Sequence, residues 1–163
     1  MIIHIKNKDT LIVKNFKFKC CIGSNGLNKK KIEGDKSTPK GIFKLGKLYY
    51  RSDRVSKPNT KLECKKITST MGWCNDSFHK KYNKEVHLSK NIKCEKLYRK
   101  DYKYNYFILI KYNYSKTIPN YGSAIFIHLT KNYKPTAGCV ALLEKDFKIM
   151  LKLIDQKTKI KIS

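Results

Sequence analysis

The chain has 163 residues, so one domain spanning 1–163 is the expectation. Its 37 Lys and Arg against 12 Asp and Glu give a formal net charge of +25, yet 40% of the residues are hydrophobic, enough for a real core and too many for a disordered polycation. No run approaches the roughly 20 apolar residues of a membrane span, so no integral membrane segment is expected.

The first residues, Met1 to Asn7, lack the basic-then-apolar-then-small order of a signal peptide. Short strands are predicted at Ile2–Lys6, Thr10–Lys14 and Phe16–Ile22; in the last, Phe16, Phe18 and Cys20 alternate with Lys17 and Lys19. Asn7-Lys8-Asp9 reads as the hairpin turn between the first two. Gly23 to Gly41 is rich in Gly, Ser, Asn and Asp and reads as loop, and Phe43 to Tyr50 as a strand. Arg51 to Asn91 is polar and irregular and carries Trp73, Cys74 and Tyr82. Tyr106–Tyr112 and Ser123–Thr130 are strong strand patterns, the second almost continuously apolar up to His128. Beyond Cys139 the period changes: Leu143, Phe147, Leu151 and Ile154 form one stripe of an amphipathic helix over about residues 143–155. Thr158–Ile162 alternates again and closes the chain as a strand. The fold class is mainly β, with one clear helix.

The charge is carried by 34 Lys and only 3 Arg. Lys, Ile, Asn and Tyr, all with A/T-rich codons, supply nearly half the chain, so base bias accounts for the lysines. Sites that read phosphates or guanines favour the planar, bidentate Arg, so no nucleic acid is expected as a partner. Six cysteines without regular spacing, two of them adjacent at Cys20-Cys21, do not make a disulfide scaffold. Cys64, Cys74, His79, His87 and Cys94 contain no Cys-x-x-Cys and no paired His spacing, so no metal site and no cofactor are expected.

The segment from Ser123 to Leu142 holds the chemistry. A buried strand delivers His128 to its end; a polar loop with Pro135 follows, then Gly138-Cys139, then the predicted helix. A thiol needs a base or an electropositive setting to become a thiolate near neutral pH. His128 supplies the base, and a helix N-terminus would supply part of the setting. Gly138 allows close backbone approach, so its N–H and that of Cys139 are candidate oxyanion donors. By residue type alone, a cysteine before a helix is more often core packing than catalytic.

The order of these residues resembles the catalytic signature of the L,D-transpeptidase (YkuD-like) family, in which a strand-borne His precedes a Ser/Thr-x-Gly-Cys turn carrying the nucleophile. Here the turn is Thr136-Ala137-Gly138-Cys139. Upstream, Glu33-Gly34-Asp35-Lys36-Ser37-Thr38-Pro39-Lys40-Gly41-Ile42-Phe43 is similar to the family's stretch of Asp/Gly, Thr-Pro and Gly-x-Phe. Gly72-Trp73-Cys74-Asn75-Asp76, Tyr82-Asn83 and Leu97-Tyr98-Arg99-Lys100-Asp101 resemble segments of a compact branch. The likeness runs from about Gly23 to the C-terminus. The chain departs from the common pattern in a shorter spacer between His128 and Cys139, in Ala137 where many members carry a second His, and in Ala141 where many carry Arg.

The resemblance implies a mixed β-sandwich or barrel and a bacterial enzyme of peptidoglycan stem peptides. Cys139 would be the nucleophile, His128 the base and Gly138 part of the oxyanion site, with Thr136, Trp73, Tyr82 and Asn83 binding substrate. A thioacyl-enzyme passed to an amine gives cross-links; passed to water, it gives an L,D-carboxypeptidase or endopeptidase. A catalytically idle basic module holding wall polymer or nucleic acid is the alternative of a different class. The resemblance also implies the periplasm or cell envelope, a monomer, and electrostatic contact with anionic wall polymer.

Overall fold

The alternation of apolar and charged residues in the first nineteen positions produces a three-stranded meander: β1 (Ile2–Lys6), β2 (Thr10–Val13) and β3 (Phe16–Lys19). The computed structural model describes every residue from Met1 to Ser163. Asn7 and Lys8 adopt positive φ of 53° and 66° in the first turn, the left-handed region that a tight hairpin requires. Two short strands, β4 (Leu27–Asn28) and β5 (Thr38–Pro39), pair with each other inside the loop-rich segment. The long β6 (Gly41–Tyr50) then crosses the molecule.

The stretch Arg51 to Asn91, read from sequence as irregular, contains three strands, β7 (Cys64–Lys66), β8 (Met71–Cys74) and β9 (Glu85–His87), and β10 (Cys94–Lys96) follows it. The last three form a separate small sheet in the order β10-β8-β9. They are only three or four residues long, so no period of two develops in the sequence. The remaining elements are β11 (Tyr106–Ile110), β12 (Phe126–Thr130), β13 (Val140–Leu143), α1 (Glu144–Leu153) and β14 (Lys159–Ile162).

The main sheet runs β13-β12-β11-β6-β14-β1-β2-β3, with β7 beside β6. Its two ends meet: the Cys21 N–H donates to Ala141 O at 3.0 Å, and the Ala141 N–H returns a bond to Cys21 O at 2.9 Å. The fold is therefore mainly β, a nearly closed barrel-like sheet with one helix. Helix α1 carries Glu144 and Asp146 in its first turn and Lys152 in its last, matching its dipole. It buries Phe147, Met150 and Leu151 against the sheet, where Phe147 stacks on Tyr106 with ring centroids 6.2 Å apart.

Three sequence expectations are corrected. The strand leading to His128 begins at Phe126 rather than Ser123, because Ala124 turns the chain with φ 53°. The residues after Cys139 form β13, parallel to β12, before α1 begins; four apolar residues in a row are compatible with either period. Cys139 is thus not placed at a helix N-terminus, and no helix dipole acts on its sulfur. The third strand of the meander stops at Lys19, and Cys20 to Ile22 continue only as a bridge toward β13.

Candidate active site

Parallel pairing of β12 with β13 sets the local geometry. It places His128 beside Ala141, two residues beyond Cys139, so the imidazole and the thiol are delivered by adjacent strands. Both line one cavity of about 700 Å³, together with Lys31, Glu33, Glu95, Arg99, Lys103, Tyr104, Ser123 and Thr136.

The turn from Thr136 to Cys139 is held from three sides. Thr136 Oγ1 donates to Cys139 O at 2.6 Å and accepts the Gly138 N–H at 3.1 Å. Thr136 itself is fixed by Ile22 and Ser24, through its N–H to Ile22 O at 2.8 Å and its O from the Ser24 N–H at 2.9 Å. From the upstream motif, Thr38 Oγ1 donates to Gly138 O at 2.7 Å and accepts the Gly23 N–H at 2.9 Å. Gly138 has φ 140°, and a Cβ on it would lie 2.8 Å from Ser37 O. Glycine is therefore required here by conformation and by close approach.

The motif from Glu33 to Phe43 is a buttress rather than a wall of reactive groups. Asp35 accepts bonds from Lys31 Nζ at 2.6 Å, Ser37 Oγ at 2.6 Å, the Ser37 N–H at 2.9 Å and the Ile32 N–H at 3.0 Å. Burial alone would raise its carboxyl, but these donors outweigh that and hold it down at about 2. Asp35 thereby stays ionised and pins Lys31, which is buried beside Gly138.

The Cys139 thiol is buried. It donates to Ala124 O at 3.3 Å and accepts the Phe126 N–H at 3.4 Å. Burial pushes its pKa up to about 12, and the carboxylate of Glu95 adds to the rise while Lys31 and Arg99 oppose it. His128 Nδ1 bonds to Leu129 O at 2.9 Å. A carbonyl can only accept, so Nδ1 carries the proton and Nε2 keeps its lone pair. Burial lowers the imidazole to about 4. The resting pair is therefore a neutral thiol and a neutral imidazole, each bonded to a different carbonyl and not to each other. That arrangement suits proton transfer during attack rather than a standing thiolate–imidazolium pair.

Gly138 is brought to the site, but its N–H is already taken by Thr136 Oγ1. The Cys139 N–H, by contrast, has no acceptor within the protein. Thr136 lines the cavity, while its hydroxyl is committed to the turn.

Trp73, Tyr82 and Asn83, which the resemblance implied as substrate-binding, do not line the cavity; they are buried behind it. Trp73 Nε1 donates to Asn83 Oδ1 at 2.9 Å, and the same oxygen accepts the Ala124 N–H at 3.0 Å. Since Ala124 O is the acceptor for the Cys139 thiol, this chain of bonds fixes the left-handed Ala124 that orients the sulfur. The Tyr82 hydroxyl bonds Glu33, a wall residue, and receives the Gly122 N–H at 2.9 Å. An aromatic ring suits a groove and a core alike, and the packing shows that these rings face inward.

Sequence reasoning missed part of the wall. Tyr104 sets its ring edge against His128 with centroids 5.5 Å apart, and its hydroxyl bonds Glu95. Burial raises the Glu95 carboxyl. Arg99 lies 5.1 Å over the Tyr104 ring while bonding Asp101. Ser123 Oγ and Asn75 Oδ1, both on the wall, are buried without a partner in the protein, leaving polar atoms for a ligand. Leu97 to Asp101 and Asn75 had only motif likeness to single them out. No group of three His, Cys, Asp or Glu residues is arranged to hold a metal, and no helix is long and apolar enough to cross a membrane.

Comparison with known proteins agrees with this geometry. The helical cell shape determining protein Pgp2 from Campylobacter jejuni shares the fold, with a TM-score of 0.54 and 19% identity over 99% of this chain and 46% of its own. A single-substitution variant of the same protein gives 0.53 and 18% over the same shares. The chain thus spans less than half the length of these neighbours. No curated protein sequence matches it significantly. The family model for the L,D-transpeptidase catalytic domain matches residues 2–162, and with Cys139 and His128 on one cavity the chain belongs to that YkuD family.

Proposed function

We propose that the protein is a cysteine-dependent L,D-transpeptidase that acts on peptidoglycan stem peptides through a thioacyl-enzyme. One observation carries this reading: His128 and Cys139 face the same cavity, with Nδ1 committed to Leu129 O and Nε2 left as the base. As the sulfur attacks the carbonyl of an L,D-peptide bond, its proton passes to His128 Nε2. The Cys139 N–H, free of any partner, holds the developing oxyanion. Collapse expels the D-residue, whose amine takes the proton back from His128, and the acyl group stays on Cys139. An amine of a second stem then gives its proton to Nε2 as it attacks the thioester, and the thiol is restored.

A peptidoglycan substrate sets this chemistry in the envelope, a reading that membership of a wall-acting family supports. By likeness to a neighbour described as determining helical cell shape, wall remodelling is the setting the reading favours. The +25 charge would prolong residence on anionic wall polymer.

The test is incubation with purified disaccharide-tetrapeptide followed by mass spectrometry of the products. Transpeptidation yields a dimer minus one D-Ala. Monomer minus D-Ala identifies water as the acceptor and replaces the reading by L,D-carboxypeptidation. Unchanged donor contradicts both.

A further inference from the structure

The small sheet sets two thiols that the site does not use directly opposite each other. Cys74 ends β8, Cys94 begins β10, and the two are register partners. Neighbouring hydrogen bonds fix the kind of pair they form. The Asn75 N–H donates to Lys93 O at 3.2 Å and the Leu97 N–H to Met71 O at 3.1 Å, so Met71 and Asn75 turn their backbone toward β10. Cys74 turns the other way: its N–H donates to Lys84 O and its O accepts the Asn83 N–H, each at 2.9 Å. Cys74 and Cys94 are therefore a non-hydrogen-bonded antiparallel pair. Such pairs hold their Cα atoms about 4.5 Å apart with both side chains on one face.

A disulfide spans Cα separations of roughly 4.4–6.8 Å, so this register accepts one without moving a strand. The space is also available. Gly72 lies next on the same face of β8, and a Cβ there would sit 3.1 Å from Cys94 Sγ. The Cys94 sulfur thus rests over a glycine, and rotation about its Cα–Cβ bond carries it toward Cys74. Both thiols are free. Cys74 is fully buried, whereas Cys94 is partly exposed and accessible to a reagent.

We propose that Cys74 and Cys94 are a disulfide site, closed by exchange with an external disulfide, and that the bond locks the part of the cavity wall carrying Asn75 and Glu95. Those residues directly follow the two cysteines, and both line the cavity. The Cys94 thiolate attacks one sulfur of the external disulfide and expels a thiolate. The Cys74 thiolate then attacks the Cys94 sulfur of the mixed disulfide and expels the second. The two cysteines lose two electrons and two protons, and the external disulfide becomes two thiols. The bond also closes the loop between residues 74 and 94, which restricts the unfolded chain. The inference does not depend on which reaction Cys139 performs.

Oxidised glutathione serves as the test reagent, followed by alkylation, digestion and peptide mapping. The expected result is a cross-linked peptide pair joining Cys74 to Cys94, and a rise in Tm of roughly 5–10 °C that dithiothreitol reverses. Cys94→Ser should abolish both the cross-link and the rise, and it decides the matter even if the buried Cys74→Ser fails to fold. Alkylation of both cysteines after oxidation would overturn the proposal, as would a Cys94 arrested as its glutathione adduct. A Tm rise that survives in Cys94→Ser would do so too.

Discussion

On one side of the strands β6, β11 and β12, Leu48, Tyr50, Ile108, Ile110, Ile127 and Leu129 pack with β1, β14 and α1 into a largely aliphatic core. On the other side, Tyr49, Phe107, Leu109 and Phe126 join Trp73, Tyr104 and Cys139 in a smaller, aromatic one. The alternation of a strand sends successive residues to opposite faces, so Phe126 and His128 share the aromatic side while Ile127 and Leu129 go to the aliphatic side. The aliphatic core supplies burial and little else. The aromatic core supplies rings with polar handles: the Tyr104 hydroxyl reaches Glu95 on the cavity wall, while Trp73 bonds Asn83 and Tyr49 bonds Glu85, each at 2.9 Å. Offset and edge-on ring packing fixes orientation as well as area, which is what the proposed roles of His128 and Cys139 require. Stability and chemistry are thus divided between two faces of one sheet.

The division can be broken first at the turn between them. Gly138→Ala forces a Cβ against Ser37 O in a backbone region that alanine avoids. Donor consumption is expected to fall about 100-fold, because the displaced atom is the one that reacts. Activity unchanged in a folded Gly138→Ala protein would mean the turn tolerates movement.

Phe147→Ala tests the aliphatic side. Truncating this fully buried ring is expected to cost about 3–5 kcal/mol, read as a lowered urea midpoint. Activity per folded molecule should remain. A matching loss of activity in the folded fraction would show that the two faces are not independent.

The smallest expected effect is on pH dependence. The folded pKa of His128 is depressed from 6.5 to about 4. The folded state therefore binds fewer protons there than the unfolded state between those values. The stability this contributes is present above 6.5 and is lost as pH falls toward 4. Thermal melts across that window should show a decline in the parent that is weaker in His128→Gln. The acid limb of donor consumption should also fall near 4 rather than near 6.5. A limb near the ordinary histidine value would place His128 in a wetter setting.

Much of this architecture was legible from residue order. The long apolar runs of β11 and β12 reflect strands buried on both faces, and the Phe147 and Leu151 stripe marks the helix. Cys139 and His128 were legible through their ordered motif. The strands β8 to β10 were not, because strands of three or four residues are too short to show a period. Nor could the inward facing of Trp73 and Tyr82 be read, since aromatic type is the same at a groove and in a core. Asp35 and Thr38 were visible as a motif, but Thr38 holds Gly138 by a bond across a hundred residues of sequence, and the local hold of Asp35 on Lys31 matters only because the fold buries Lys31 beside Gly138.

The central claim is that Cys139 carries the acyl group and His128 Nε2 moves its proton. Acid quenching during turnover of a tetrapeptide donor, followed by intact-mass measurement, tests it most directly. The account predicts an adduct of donor minus D-Ala on the parent protein, mapped to Cys139. It also predicts no adduct on Cys139→Ala and sharply reduced accumulation on His128→Gln. Product formation by Cys139→Ala, or an adduct mapped to any other cysteine, would contradict it.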